Sequence, residues 1–354
     1  MLADLAAYEA AAQQRAEKLA WWYLARGTGR NVTLDENVAA WDRWRLLPHV
    51  LRDVSTVDPS TTVLGTRVAS PVLVAPTAMH RFFHEDGERA TARAAAAAET
   101  VFIASMAATT SVEDIAAAAP GGTRWAQMYL LRDRGRTRAL AERAREAGYA
   151  AIVASVDGAA VGRGGARAGA GTLTPPDWMR FPNLAASGDD TSDLMRLIED
   201  FDPAATFDDL ARFGEWSGLP LVVKGLLRAD DAVAALGAGA SAVVVSNHGG
   251  RIFDGIAATA DALPGVVDAV GDRGEVYVDG GIRTGTDVAR ALALGATAVL
   301  SGRPVLWGLV VDGAAGATTV LRLLQTELEA AMAFCGVDRV RRFTRDLVTR
   351  AGSG

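Results

Sequence analysis

A histidine set among small polar residues and glycines, in the run Ser246-Asn247-His248-Gly249-Gly250-Arg251, has the make-up of a proton acceptor in a tight, open loop. Neutral imidazole is the side chain best able to take a proton near neutral pH. A structural histidine is the plainer alternative. The end of an apolar run and two following glycines favour the catalytic one. Arg251, three residues on, presents a planar fork that matches a carboxylate. Asp279, in Asp279-Gly280-Gly281-Ile282-Arg283, is expected to orient His248 and stabilise its cationic form. Lys224 ends another apolar run, where a cation suits an electron-rich ring that gains negative charge on reduction. A rim salt bridge and a Schiff-base lysine are its rival roles. Gly280, Gly281 and Gly302 would let backbone N–H groups approach an anion, and Arg283 and Arg303 would add charge-assisted bonds, so the last two motifs read as a phosphate cradle.

These residues need a scaffold that brings their ends together. Eight short, almost continuously apolar runs are present: Pro71–Ala78, Val101–Met106, Arg124–Leu130, Ala151–Asp157, Leu219–Gly225, Ala242–Gly249, Glu275–Gly281 and Ala298–Pro304. Such runs suit strands buried on both faces. Alanine-rich helical segments alternate with them: Gly87–Ala98, Val112–Ala118, Arg134–Ala147, Ala229–Leu236 and Gly285–Leu294. Strand–helix alternation implies parallel strands with right-handed crossovers, and eight units are the number that closes a (β/α)8 TIM barrel. A doubly wound open sheet is the competing arrangement. Barrel active sites lie at the C-terminal strand ends, where Gln127, Tyr129, Ser155, Asp157, Lys224, Ser246, Asp279 and Ser301 fall.

Residues 1–62 precede the barrel as a segment opened by an amphipathic helix, expected to pack across one end. Residues 63–354 form the barrel, with a Gly- and Pro-containing stretch after the fourth strand, 158–217, read as a lid. The 36 basic and 42 acidic residues give a net charge of −6, with no basic run, which argues against nucleic acid or an anionic membrane as partner. The single cysteine, Cys335, forbids an internal disulfide, and no signal peptide opens the chain, so a cytoplasmic protein is expected. No metal is expected: His49, His80, His84 and His248 fall at no ligand spacing.

Taken together, SNHGGR (Ser246–Arg251), VDGGIRTGTDV (Val278–Val288), ALALGATAVLSGRPV (Ala291–Val305), PVLVAPTA (Pro71–Ala78) and LVVKG (Leu221–Gly225) resemble the FMN-dependent 2-hydroxy acid oxidoreductases. That family includes glycolate oxidase, lactate oxidase, mandelate dehydrogenase and hydroxymandelate oxidase, and the resemblance runs from about Tyr23 through Cys335. It implies that Ala75, Pro76, Thr77, Ala78, Ser105, Gln127, Ser155 and Ser246 line FMN, with Lys224 against the flavin N1–C2=O edge. It further implies that Asp279, Gly281, Arg283, Gly302 and Arg303 hold the ribityl phosphate. His248 would take the substrate proton with Asp279 as its partner, Arg251 would bind the carboxylate, and Tyr23 and Tyr129 would contact substrate oxygens. Tetramers are implied as well.

The chain departs from the family pattern after the fourth strand. Val161-Gly162-Arg163-Gly164-Gly165 has glycine where the family's second basic residue clamps the substrate carboxylate. Arg163, Arg167 or His80 would have to replace it, or the substrate is not an ordinary short 2-hydroxy acid. Ala107 stands where glycolate oxidase has a bulky aromatic, and both changes point to a roomier pocket for an aryl or natural-product substrate. No haem-binding domain precedes the barrel and Asp177–Asp208 is polar, so O2 is the expected electron acceptor. Rival readings are an FMN-dependent tailoring enzyme or isomerase acting on a non-carboxylate substrate, and a barrel that binds flavin without catalysis.

Overall fold

The computed structural model describes residues 2–158, 176–184 and 199–352. Eight parallel strands close a barrel: β1 (Val72–Val74), β2 (Phe102–Ser105), β3 (Arg124–Met128), β4 (Ala151–Ser155), β5 (Leu221–Leu226), β6 (Ala242–Val245), β7 (Glu275–Asp279) and β8 (Ala298–Ser301). Pairing of Val299 with Val72 joins β8 back to β1. Each strand is contained in one of the apolar runs, apart from Leu226 at the end of β5, and most are shorter than their run. Their last polar residues have left the ladder to form the mouth. Register places Ser105 beside Gln127 and Ser155 beside Lys224, so these side chains share one level.

Alternate strand residues fill the barrel interior, among them Leu73, Ile103, Trp125, Val153, Val222, Val244, Tyr277 and Leu300. A hairpin, Thr61–Val63 with Thr66–Val68, adds Val63 and Val68 to this cluster. Leu64 N–H donates to Glu275 Oε1 at the start of β7, which fixes the hairpin across the N-terminal end. The interior is therefore a packed plug below and open only above. The other strand faces are covered by helices Gly87–Ala97, Val112–Ala118, Arg134–Glu146, Ala229–Gly237, Thr259–Val270 and Gly285–Ala293. Among the described residues the helical segment Arg303–Phe334, broken at Asp312 and Gly313, has the length and apolarity to cross a membrane, but it packs on Leu5–Arg15, Gly87–Ala97 and Gly285–Ala293.

The segment before the barrel holds three helices, Leu5–Arg15, Lys18–Ala25 and Val32–Asp42, where the sequence suggested one. Their apolar residues Leu5, Tyr8, Leu24 and Trp41 join the main core, so this segment is continuous with the barrel. Trp41 Nε1 donates to Gly280 O at 2.8 Å, and the Asn37 and Asn247 carboxamides exchange two hydrogen bonds of 2.8 Å. These bonds seat the segment on the C-terminal, functional end. A strand at Trp44–Leu46 then pairs with Val348–Arg350, tying both ends of the chain together. Position 62 lies within the hairpin strand Thr61–Val63. Most of the stretch read as a lid falls outside the described residues, as do Arg163, Gly164 and Arg167.

Because the interior is packed at Ile103, which is wholly buried, truncation there leaves a hole that the closed barrel cannot collapse. Ile103→Ala is expected to lower unfolding free energy by about 2–5 kcal/mol in urea denaturation.

Candidate functional site

The cleft at the C-terminal end is lined by residues from all eight strand ends and from the helix Lys18–Ala25, through Tyr23 and Leu24. Its floor is a hydrogen-bonded row across β2, β3 and β4. Ser105 Oγ donates to Gln127 Oε1 (3.2 Å), and Gln127 Nε2 donates to Ser155 Oγ (3.0 Å). Ala75, Pro76, Thr77 and Ala78, leaving β1, supply an adjoining wall.

Beneath the cleft, Lys224 Nζ lies 2.9 Å from Asp279 Oδ2 and donates to Ser246 Oγ at 2.8 Å. Burial works to lower its pKa, but the charges of Asp279 and Asp157 outweigh it and hold the ammonium above its ordinary value. Lys224 is 3% exposed, so the cation is fixed and nearly dry. Its rim-salt-bridge reading fails on that burial, and its partnership with Asp279 leaves it protonated rather than free to form an imine.

His248 is paired differently from the sequence expectation. Its Nδ1 lies 3.0 Å from Asp157 Oδ2 and 3.1 Å from Oδ1. Asp279 is engaged with Lys224 instead, so the partner role assigned to it belongs to Asp157. Burial pushes the Asp157 carboxyl upward, yet the charge and hydrogen bond of His248 and the charge of Lys224 bring it below its usual value. A carboxylate held ionised favours a ring proton on the Nδ1 beside it. The approach depends on Gly225 (φ +109), because a Cβ there would meet the Asp157 side chain at 2.7 Å. His248 itself has φ +57, a conformation costly for a non-glycine residue, stabilised by its N–H donating to Ser246 Oγ. Sequence reasoning had placed Asp157 at a strand end without giving it a task.

Three guanidinium groups converge on the cleft. Arg303 donates to the carbonyls of Leu24, Gly249 and Arg26, Arg283 donates to Ile282 O and stacks on Trp307 at 5.0 Å, and Arg251 lies 4.3 Å over Tyr23. Among the described residues none has a carboxylate within salt-bridge distance. Burial, then the repulsion of Arg251 and Arg283, pushes Arg303 down to about 9. Burial likewise lowers Arg283, against the opposing charges of Glu9 and Asp287. Like charges gathered on one half-buried wall repel one another. A dianion is the partner they lack.

Arg251 Nη1 donates to Tyr23 O (2.7 Å) and Arg26 O (2.8 Å). No bond from its other guanidinium nitrogens is present among the described residues, which leaves a fork directed at a ligand. Tyr129 stacks on Phe201 at 4.2 Å, and burial, reinforced by Asp157, holds its phenol well above the usual value. It is a hydrogen-bond donor throughout the physiological range. His80, considered as a replacement carboxylate clamp, does not serve as one: it is fully buried, with ring nitrogens 2.6 Å from Thr77 Oγ1 and 2.9 Å from Thr91 Oγ1.

A barrel mouth with a dianion cradle at one end and a carboxylate-backed base at the other defines a flavin-type oxidoreductase. The chain belongs to the FMN-dependent dehydrogenase family, whose model matches residues 12–350. It is 43% identical over 349 residues to L-lactate oxidase of Nostoc sp., covering 96% of this chain and 95% of that protein. It is 40% identical to human 2-hydroxyacid oxidase 1, covering 97% and 95%. Among solved structures, mandelate oxidase with (S)-2-phenylpropionate shares 38% identity and a TM-score of 0.88, covering 99% of this chain and 98% of that one.

FMN is the cofactor, and the residues fit it. Asp279 Oδ1 and Ser301 Oγ are buried in the cleft wall without a hydrogen-bond partner among the described residues, as groups awaiting ribityl hydroxyls would be. Gly281 (φ +82) lies so close to the preceding segment that a Cβ would fall 1.8 Å from Asn37 O. Arg283, Arg303 and the backbone at Gly281 and Gly302 would hold the phosphate, Lys224 would face the ring, and Ser105, Gln127 and Ser155 would meet its polar edge.

Two substitutions separate these roles. Asp157→Asn should cut turnover on the order of 10²-fold with flavin content per chain unchanged, read by absorbance and steady-state kinetics; full turnover would reassign the His248 partner. Gly281→Ala should yield colourless protein whose visible spectrum is not restored by added FMN.

Proposed function

We propose that the protein oxidises a 2-hydroxy acid with a bulky, aryl-bearing substituent to the 2-oxo acid and passes the electrons to O2. The observation that carries this reading is the His248–Asp157 pair facing the same cleft as the Arg251 fork. FMN supplies a two-electron acceptor when bound. The chain supplies the rest. Arg251 holds the substrate carboxylate, and Tyr129 and Tyr23 hold its oxygens. His248 Nε2 takes the proton, and Asp157 stabilises the resulting imidazolium. Lys224 offers a fixed positive charge where negative charge develops on reduction.

Size selection lies in the cleft wall. Ala107, Leu24, Met79, Ile252, Phe201 and Leu306 line it with apolar surface. Ala107 leaves room for a ring, and the likeness to mandelate oxidase is consistent with an aryl substituent. The likeness to three oxidases supports O2 as acceptor. A homotetramer in the cytoplasm completes the proposal, on the family resemblance and the single cysteine alone.

Anaerobic mixing with aliphatic and aryl 2-hydroxy acids, their esters and their amides tests the reading. The flavin band should bleach with free acids, most rapidly with aryl ones, and return on admitting air. Bleaching by esters and amides alone would show that the carboxylate is not recognised. Arg251→Met should raise KM for the free acid by about 10- to 100-fold, since a charged hydrogen-bonded pair is worth roughly 1.5–3 kcal/mol; an unchanged KM would remove Arg251 from that role.

A further inference from the structure

Two buried titratable groups have no part in the chemistry above. His80 and Glu88 are both fully buried, immediately behind the β1 wall of the cleft. The Glu88 carboxylate accepts from His80 N–H and Thr109 N–H, each 2.9 Å, and from the hydroxyls of Thr109 and Thr110, each at 2.8 Å. These bonds pin the turn that carries His80, whose preceding residue Met79 has φ +61. The imidazole is thus held by backbone and side chain alike.

Its two nitrogens are distinguishable. Nδ1 lies 2.9 Å from Thr91 Oγ1, and that hydroxyl donates its one proton to Gly87 O at 3.5 Å. With the Thr91 proton so engaged, the ring proton is assigned to Nδ1. Burial lowers the His80 pKa, more than the Glu88 charge and the Thr77 backbone carbonyl raise it, so the ring is neutral and, with its proton on Nδ1, Nε2 is the acceptor. Thr77 Oγ1, 2.6 Å from Nε2, gives that nitrogen its only proton. Thr77 lines the cleft, half-buried. On that tautomer its hydroxyl has only lone pairs left for any further partner.

We propose that His80 is a positioning residue that fixes the Thr77 hydroxyl as a hydrogen-bond acceptor toward FMN and so favours the reduced cofactor. A reduced isoalloxazine carries a ring N–H where the oxidised ring has a bare nitrogen. An acceptor-only hydroxyl therefore gains on reduction, whereas a freely rotating one would serve both states. The inference rests on FMN occupying the cleft and is independent of the substrate.

The test is the oxidised-to-reduced equilibrium of the FMN-loaded enzyme against a reference dye, titrated with dithionite. The wild type is compared with His80→Leu, His80→Gln, Thr77→Val and the Thr77→Val/His80→Leu double variant. His80→Leu and Thr77→Val should each shift the equilibrium about tenfold toward the oxidised form, the size of one hydrogen bond and about 30 mV for a two-electron couple. The double variant should shift no further. His80→Gln, whose carboxamide oxygen can accept the Thr77 proton, should stay near the wild type. A wild-type potential in Thr77→Val, or a His80→Leu shift that persists undiminished in the Thr77→Val background, overturns the proposal. Should His80→Leu fail to retain FMN, Thr77→Val and His80→Gln decide alone: a shift in the first with none in the second supports it, and any other pattern overturns it. Because dithionite reduces the flavin without substrate, failure here leaves the 2-hydroxy acid reading standing.

Discussion

Charge buried at the mouth of a closed barrel must be compensated within a few ångströms, and that constraint organises this site. Asp279, Lys224, Asp157 and His248 form a chain of alternating partners under the cleft, joined at 2.9 Å between the first two and 3.0 Å between the last two. Each member depends on its neighbours. Lys224 keeps its proton because two carboxylates outweigh its burial, and Asp157 keeps its charge because His248 and Lys224 outweigh the same effect. Removing one carboxylate would leave a buried cation with one neighbour fewer, which is why the two aspartates are not interchangeable. Asp279 lies at the Lys224 end of this chain and Asp157 at the His248 end.

The three arginines obey the same rule by omission. Their hydrogen bonds run to backbone carbonyls of Leu24, Arg26, Tyr23, Gly249 and Ile282, several of which lie in the segment before the barrel. Carbonyl dipoles orient a guanidinium without neutralising it. Binding a dianion would relieve the repulsion among the three groups, so the cofactor is linked to the seating of the N-terminal helices through shared side chains. Arg303 is the hinge of this arrangement, holding Leu24 and Arg26 on one side and Gly249 on the other.

Much of this was legible in the residues. The eight strands were marked by continuous apolar runs, because a strand covered on both faces has no polar side to show. The cradle was marked by glycines beside arginines, since both are needed for one purpose. What escaped the sequence was geometry beyond the strand ends. Asp279 sits on β7, next to the β6 strand that leads to His248, and adjacency favoured it. The left-handed backbone at His248 turns its ring across β5, and Gly225 clears the space through which Asp157 meets it. The three helices before the barrel were compressed into one, since their buried faces are short and their ends are set by contacts with distant loops. Asn37 could not be foreseen as a partner of Asn247, because the pair is 210 positions apart and amide–amide bonds leave no pattern in a single chain.

His80 shows how burial and local hydrogen bonds can deny a residue the task that its type suggests. A histidine near the cleft invites a role in binding an anion, yet a group with both nitrogens bonded to threonine hydroxyls has no valence left for a substrate. Its burial makes it neutral, and neutrality is what lets one nitrogen accept while the other donates. His248, half-buried and backed by a carboxylate, is arranged differently, because among the described residues only one of its nitrogens is engaged. Two imidazoles are thus arranged oppositely: among the described residues His248 engages one ring nitrogen and His80 engages both.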